Sequence, residues 1–341
     1  MTIELGPVML DVAGLEITSE EREIIAHPQV GGVIAFARNY QSPEQLIDWV
    51  RQLREVKPHL LIAADHEGGR VQRFKTGLTR IPDMFSLATQ KPEWLQPVGE
   101  LMALELLALG VDFSFAPVLD RFNPDSKVIG DRAFAEKPQH IAKLAEQLIA
   151  GFSKAGMAAV GKHFPGHGYV AEDTHLEGAI DPRPLAEITE SDLLPFKALA
   201  SKLEGMMPAH VVFPEVDENP VGFSKTWLQT VLRQELDFSG AIFSDDLTMA
   251  AAKAYGNPLE RGRAALDAGC DMVLMCNAPD DAIALIEGLE GENYRVNSSH
   301  QARLLALSAH KARMQQNFHW SAVQKTPFWQ RWHGLLTDWQ Y

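Results

Sequence analysis

Short, unbroken apolar runs alternate along the chain with longer segments in which apolar residues recur every three or four positions. The first pattern belongs to strands covered on both faces, the second to helices lying on them. Val8-Met9-Leu10 opens the series as a strand. Ser19-Glu20-Glu21-Arg22 offers an N-cap and an acidic first turn, which predict a helix start. Gly32 to Phe36 reads as a second strand, and Ser42-Pro43-Glu44-Gln45 predicts a helix to about Val56 with proline at its first position. Leu60 to Ala64 is a third strand ending in Asp65. A loop and a helix from about Glu93 to Leu109 lead to a fourth strand over Val111 to Leu119. A helix from about Pro138 to Ala155 precedes a fifth strand at Met157-Ala158-Ala159-Val160. The sixth, seventh and eighth strands are expected at Gly205-Met206-Met207, Ala241-Ile242-Phe243 and Met272-Val273-Leu274-Met275. The helices before them are expected over about 188–201, 224–236 and 259–268.

Eight strand–helix units predict an α/β fold, a (β/α)8 TIM barrel. A doubly wound sheet is the alternative for the same alternation. No Gly/Ser-rich or Pro-rich linker divides the 341 residues, so one catalytic domain over 1–341 is expected, with a Trp-rich tail from about residue 318. Trp320, Trp329, Trp332 and Trp339 are four of the seven tryptophans and lie in that tail. They read as an aromatic cap packed on the outside or base of the barrel, or else as a partner or dimer surface.

Composition narrows the partners. A chain with 46% hydrophobic residues can build a large core. A net charge of −14 argues against a nucleic-acid partner, because phosphate binding needs clustered Lys and Arg. No apolar run approaches the ~20 residues of a membrane span. Met1-Thr2-Ile3-Glu4-Leu5 shows neither the basic nor the apolar region of a signal peptide. The expectation is a cytoplasmic protein, monomeric or weakly dimeric, acting on a small-molecule substrate without cofactor or metal. Cys270 and Cys276 share one apolar run and read as reduced, buried thiols.

Barrels of this kind gather their chemistry at the C-terminal ends of the strands. The third predicted strand ends in Asp65-His66-Glu67-Gly68-Gly69-Arg70, and Asp131 and Arg132 follow the fourth. The fifth runs into Gly161-Lys162-His163-Phe164-Pro165-Gly166-His167-Gly168, with Asp173-Thr174-His175 shortly after. Pro165, Gly166 and Gly168 forbid a regular helix there, so a strand end running into a loop is expected. His210 follows the sixth strand, and Ser244-Asp245-Asp246 ends the seventh. Asp65 can accept two sugar hydroxyls, or cap the next element. Lys162 and His163 can donate to hydroxyls from opposite sides of the strand end, or Lys162 can form a structural pair with an aspartate. Arg132 binds a ligand or pairs with Asp131. Asp173 and His175 share a side in an extended loop. The carboxylate then fixes the tautomer and stabilises the imidazolium that a general acid/base needs. Of Asp245 and Asp246, one is expected to face the substrate and the other to bind backbone.

Lys-His-Phe-Pro-Gly-His-Gly, Asp-x-His, Asp-x-Glu-Gly-Gly-Arg-Val-x-Arg and Ser-Asp-Asp-Leu together resemble glycoside hydrolase family 3, in its bacterial single-domain β-N-acetylhexosaminidase branch. The resemblance covers nearly the whole chain. It implies a retaining mechanism with Asp245 as nucleophile, His175 as proton donor and acceptor, and Asp173 orienting His175. It implies that Asp65, Arg73, Arg132, Lys162 and His163 bind the N-acetylglucosamine unit. It further implies cell-wall recycling in the cytoplasm, with N-acetylglucosamine joined to anhydro-N-acetylmuramic acid as substrate. His66 stands where a glutamine is more usual, and Thr174 where a serine is common. Most retaining glycosidases pair two carboxylates about 5 Å apart. A His–Asp dyad in place of one of them would not repel an anion, so phosphate is a conceivable acceptor beside water, which makes a phosphorylase the alternative. A metal-dependent barrel hydrolase could instead draw ligands from Asp65, His163, His167, His175, His210 and Asp245. A sugar-binding protein without catalysis would have no use for Asp245 together with Asp173 and His175.

Overall fold

The structure is a computed structural model that describes residues 4–170, 179–309 and 319–339. Eight parallel strands close into a barrel: Val8–Leu10, Val30–Ala35, Leu61–Ala64, Phe113–Ser114, Ala158–Phe164, Gly205–Pro208, Ala241–Asp246 and Met272–Met275. Each neighbours the next, and the eighth returns to the first through Val8 opposite Val273. The (β/α)8 expectation is met. The strands are apolar almost without interruption because helices cover them outside and side chains fill them inside. Phe113, Phe115 and Phe243 pack together, two of their three contacts edge-on, at centroid distances of 5.3, 5.7 and 5.0 Å.

Several boundaries differ from the sequence reading, each for a local reason. The fourth strand holds only Phe113–Ser114, not the nine residues expected. Pro117 has no N–H to give a ladder, and pairing resumes only at Val118 opposite Lys162. The helix expected over 188–201 is two short ones, Leu185–Glu190 and Leu194–Leu199. Pro195 fits the first turn of the second but cannot continue the first. The loop expected after the third strand contains the helix Met84–Gln90, capped by Asp83, whose carboxylate accepts from the Ser86 N–H at 2.7 Å.

Directly beyond the third strand a small hairpin pairs His66–Gly68 with Val71–Gln72. Its turn needs glycine: Gly68 and Gly69 have φ of 107° and 53°, and a Cβ on Gly69 would lie 2.8 Å from that of Asp83. The hairpin carries Glu67 into the barrel mouth and leads directly to Arg73. Past the eighth strand, helices Pro279–Gly291 and Ser298–Ala306 complete the ring, and the tail forms Trp320–Val323 and Pro327–Asp338. Trp332 and Trp339 close edge-on around Trp94, at 5.4 and 5.7 Å, so these tail tryptophans sit on the helical layer rather than on the strands.

Candidate active site

The C-terminal ends of the strands surround a cavity of about 400 Å³. Asp65, Arg73, Arg132, Lys162, His163 and Asp245 all line it, so six of the eight residues singled out in the sequence converge. Asp173 and His175, the expected proton-transfer pair, lie outside the described residues.

One wall is a lattice of alternating charge. The Lys162 ammonium sits 2.8 Å from Asp65 Oδ1 and 2.6 Å from Glu67 Oε1. Arg73 Nη2 donates to Asp65 Oδ2 at 3.1 Å, and Arg132 donates twice to Glu67, each bond 2.8 Å. Burial alone would raise the Asp65 and Glu67 carboxyls. The adjacent cations outweigh it: Lys162 and Arg73 hold Asp65 well below the usual carboxylate range, and Arg132 and Lys162 bring Glu67 to about 2. Both are therefore anions, and three cations face them. Burial disfavours the Arg132 charge, yet Glu67 holds its pKa above the ordinary value. Asp65 is thus both partner to Lys162 and a wall of the cavity. Arg132 does not pair with Asp131, which meets Arg70 instead at 3.2 Å.

Two members of this site were given no role in the sequence reading. Glu67 was visible as the acid of Asp-x-Glu-Gly-Gly, but only the fold shows it between Lys162 and Arg132. Asp120 ends the apolar run Phe115-Ala116-Pro117-Val118-Leu119 and is fully buried. It accepts from His163 Nδ1–H at 2.6 Å and from the backbone N–H of His167 at 2.7 Å. An ionised carboxylate only accepts, so Nδ1 carries the proton and Nε2 is the nitrogen left for a ligand. His163 and Asp120 therefore form an oriented pair on the cavity side. The peptide bond between Lys162 and His163 is cis. Both side chains line the cavity.

The seventh strand supplies the facing carboxylates. Asp246 Oδ1 accepts from the backbone N–H of Thr248 at 3.0 Å and of Cys276 at 3.2 Å, and burial raises its carboxyl pKa. Asp245 Oδ1 accepts from the Asp246 N–H at 2.8 Å, and Asp245 lines the cavity together with Asp246, Cys276 and His167. His210 is not among the lining residues. It is buried, with Nε2 3.1 Å from the Asp246 carbonyl and its ring stacked on Phe223. His66 is likewise buried, its ring 5.5 Å from that of Phe74, and burial with the nearby Arg73 charge lowers its pKa to about 3. Among the described residues no three His, Cys, Asp or Glu side chains are placed to hold a metal ion.

A barrel mouth holding a sugar-sized cavity, fixed ion pairs on one side and a carboxylate on the strand opposite defines a class: the (β/α)8 glycoside hydrolases. The model of the glycosyl hydrolase family 3 N terminal domain matches residues 3–307, and the chain belongs to that family. It is 51% identical over 296 residues to a beta-hexosaminidase of Nitrosospira multiformis, covering 84% of this chain and 85% of the relative. It is 47% identical over 330 residues to one of Shewanella frigidimarina, covering 93% and 95%. The crystal structure of NagZ from Neisseria gonorrhoeae in complex with N-trifluoroacetyl-D-glucosamine superposes with a TM-score of 0.88 at 40% identity, covering 98% of both chains. The chain is a β-N-acetylhexosaminidase of this family.

Proposed function

We propose that the enzyme is a retaining exo-β-N-acetylglucosaminidase that removes terminal N-acetylglucosamine from peptidoglycan fragments. The intended substrate is N-acetylglucosamine joined to anhydro-N-acetylmuramic acid, with or without peptide, in cytoplasmic cell-wall recycling. The observation that carries the reading is the placement of Asp245 across one cavity from the Asp65–Lys162–Glu67–Arg132 lattice. Asp65, Arg73, Arg132, Lys162 and His163 hold the sugar hydroxyls, and Asp245 attacks the anomeric carbon. The bond from that carbon to the leaving oxygen breaks, and His175, oriented by Asp173, gives the oxygen its proton. In the second step water attacks the same carbon, His175 takes back a proton, and Asp245 is released. The fixed lattice spends no reorganisation on this, since its charges are already paired and aimed before sugar enters. A neighbour solved with an N-acylated glucosamine supports the sugar assignment. No helix among the described residues is long and apolar enough to cross a membrane.

A 2-deoxy-2-fluoro or 5-fluoro analogue of the amino sugar should trap the covalent intermediate, and peptide mapping should place it on Asp245. A label on any other residue overturns the mechanism. Product analysis in phosphate and in a non-phosphate buffer then fixes the acceptor: N-acetylglucosamine in both supports hydrolysis, and sugar 1-phosphate in the first makes the enzyme a phosphorylase.

A further inference from the structure

Thr79 is a fully buried threonine in none of the sequence motifs. All its polar groups are used, and they reach three different elements. Its N–H lies 3.2 Å from both carboxylate oxygens of Glu105, on the helix Leu95–Ala108. Its hydroxyl donates to Glu105 Oε1 at 2.6 Å, so the same oxygen accepts from His333 Nδ1–H at 2.8 Å. Its carbonyl accepts from the Gln72 side-chain amide at 2.8 Å.

The two far ends of this hub differ in kind. On one side stands the C-terminal helix Pro327–Asp338. His333 belongs to it, and so does Trp329, whose indole N–H donates to Glu105 Oε1 at 2.7 Å while its ring stacks on His333 at 4.3 Å. On the other side stands Gln72, the residue just before Arg73. The Gln72 amide also donates to the Phe74 carbonyl at 3.0 Å and accepts from the Ile81 N–H at 2.9 Å. The segment that bears Arg73 is therefore pinned by hydrogen bonds on both sides of that residue. Arg73 itself reaches Asp65 with one bond and rests over the Phe36 ring at 5.5 Å. Among the described residues no bidentate partner fixes its plane, so its direction depends on where its backbone is held.

We propose that Thr79, Glu105 and the C-terminal helix form a strut that aims Arg73 at the sugar, with Thr79, Trp329 and His333 as positioning residues. This rests on the reading that Arg73 touches the sugar. It gives the Trp-rich tail a part in substrate binding although none of its described residues lines the cavity.

The test is a double-mutant cycle on the full chain with an aryl N-acetyl-β-D-glucosaminide. Thr79→Val keeps the shape and loses the hydroxyl; Thr79→Ser keeps the hydroxyl; Trp329→Phe loses the indole N–H donor and part of the ring stacked on His333. Thr79→Val is expected to raise KM on the order of tenfold with a smaller change in kcat, Trp329→Phe less, and Thr79→Ser to restore it. On an Arg73→Ala background both losses should vanish, because nothing remains to aim. The same cycle read by the dissociation constant of N-acetylglucosamine should agree. A loss of full size on the Arg73→Ala background would show that Thr79 acts on stability alone and overturns the strut. So would unchanged KM in both Thr79→Val and Trp329→Phe with intact near-ultraviolet dichroism. An Arg73→Ala enzyme with unaltered KM and sugar affinity would instead remove the underlying reading of Arg73, and the strut with it.

Discussion

Arg132 meets Glu67 fork to fork, Nε and Nη2 each 2.8 Å from a carboxylate oxygen, with both side chains almost out of solvent. Lys162 takes the same Oε1 from the other side, so Glu67 neutralises two cations of the sugar wall while contributing no group expected to touch the sugar. Glu67→Gln leaves one acceptor for three donors and Arg132 without its paired carboxylate, while Lys162 keeps Asp65. Breaking a buried pair by removing one partner costs about 3–5 kcal/mol. The expected outcome is a clear fall in melting temperature and a rise in KM, measured by thermal unfolding and steady-state kinetics. Arg132→Lys should fare little better, because an ammonium cannot supply the fork.

Asp245 and Asp246 are adjacent yet engaged differently, and a pair of variants separates them. Asp246 ties two backbone N–H groups, so Asp246→Asn should chiefly loosen the loop beyond the seventh strand and lower stability. Asp245→Asn should leave the fold intact and reduce kcat by at least ~10³-fold, since loss of a nucleophile removes the chemical step itself. Steady-state rates beside melting curves check both. A strong stability loss in Asp245→Asn with residual turnover would reverse the assignment.

Much of this site is legible in the sequence, and the reason is physical. A polar, titratable residue placed directly after a buried apolar run has no packing use, so Asp65, Lys162, His163 and Asp245 stood out. The run of buried strands likewise announced the barrel. What stayed hidden was pairing across the mouth. Nothing in the spacing of Glu67 and Arg132, 65 positions apart, predicts their contact, and the local alternative of Arg132 with Asp131 looked equally sound. Asp120 was hidden because its partner His163 comes from the neighbouring strand. The split helix 185–199 was missed because apolar spacing continues across Pro195, whereas backbone hydrogen bonding does not. Thr79 gave no signal at all, since a hub made of hydrogen bonds leaves no hydrophobic period.

The proton-transfer role proposed for His175 predicts a dependence on leaving group. A good aryl leaving group departs without protonation, whereas a sugar hydroxyl does not. General acid catalysis contributes typically ~10²–10⁴-fold. His175→Ala should therefore approach that loss on a disaccharide and lose far less on a nitrophenyl glycoside. Asp173→Asn should follow the same ranking more mildly. Parallel measurement of kcat/KM on both substrates checks it, and equal losses would remove His175 as the acid.

Two buried groups should make stability respond to pH in opposite directions. His66 is held neutral, its pKa lowered from 6.5 to about 3 by burial and by Arg73. Below pH 6.5 the unfolded chain takes a proton that the folded one refuses, so this contribution is present above 6.5 and lost as pH falls towards 3. Its full size is about 5 kcal/mol at 1.36 kcal/mol per unit, an order of magnitude. Glu105 is the reverse: burial raises its carboxyl from 4.5 to about 7, against hydrogen bonds from Thr79 and Trp329 that lower it. Between 4.5 and 7 the folded state holds the extra proton, so stability falls as pH rises through that window, by about 3 kcal/mol in all. In the unaltered enzyme the two slopes oppose each other from 4.5 to 6.5. Each single variant should expose the other. Glu105→Gln should leave stability rising with pH across that window, and His66→Gln, which places there the glutamine more usual in the motif, should leave it falling. Unfolding free energies from denaturant titrations at half-unit steps from pH 4.5 to 7.5 decide the matter. Parallel curves for all three proteins would mean that neither group is coupled to folding in this way.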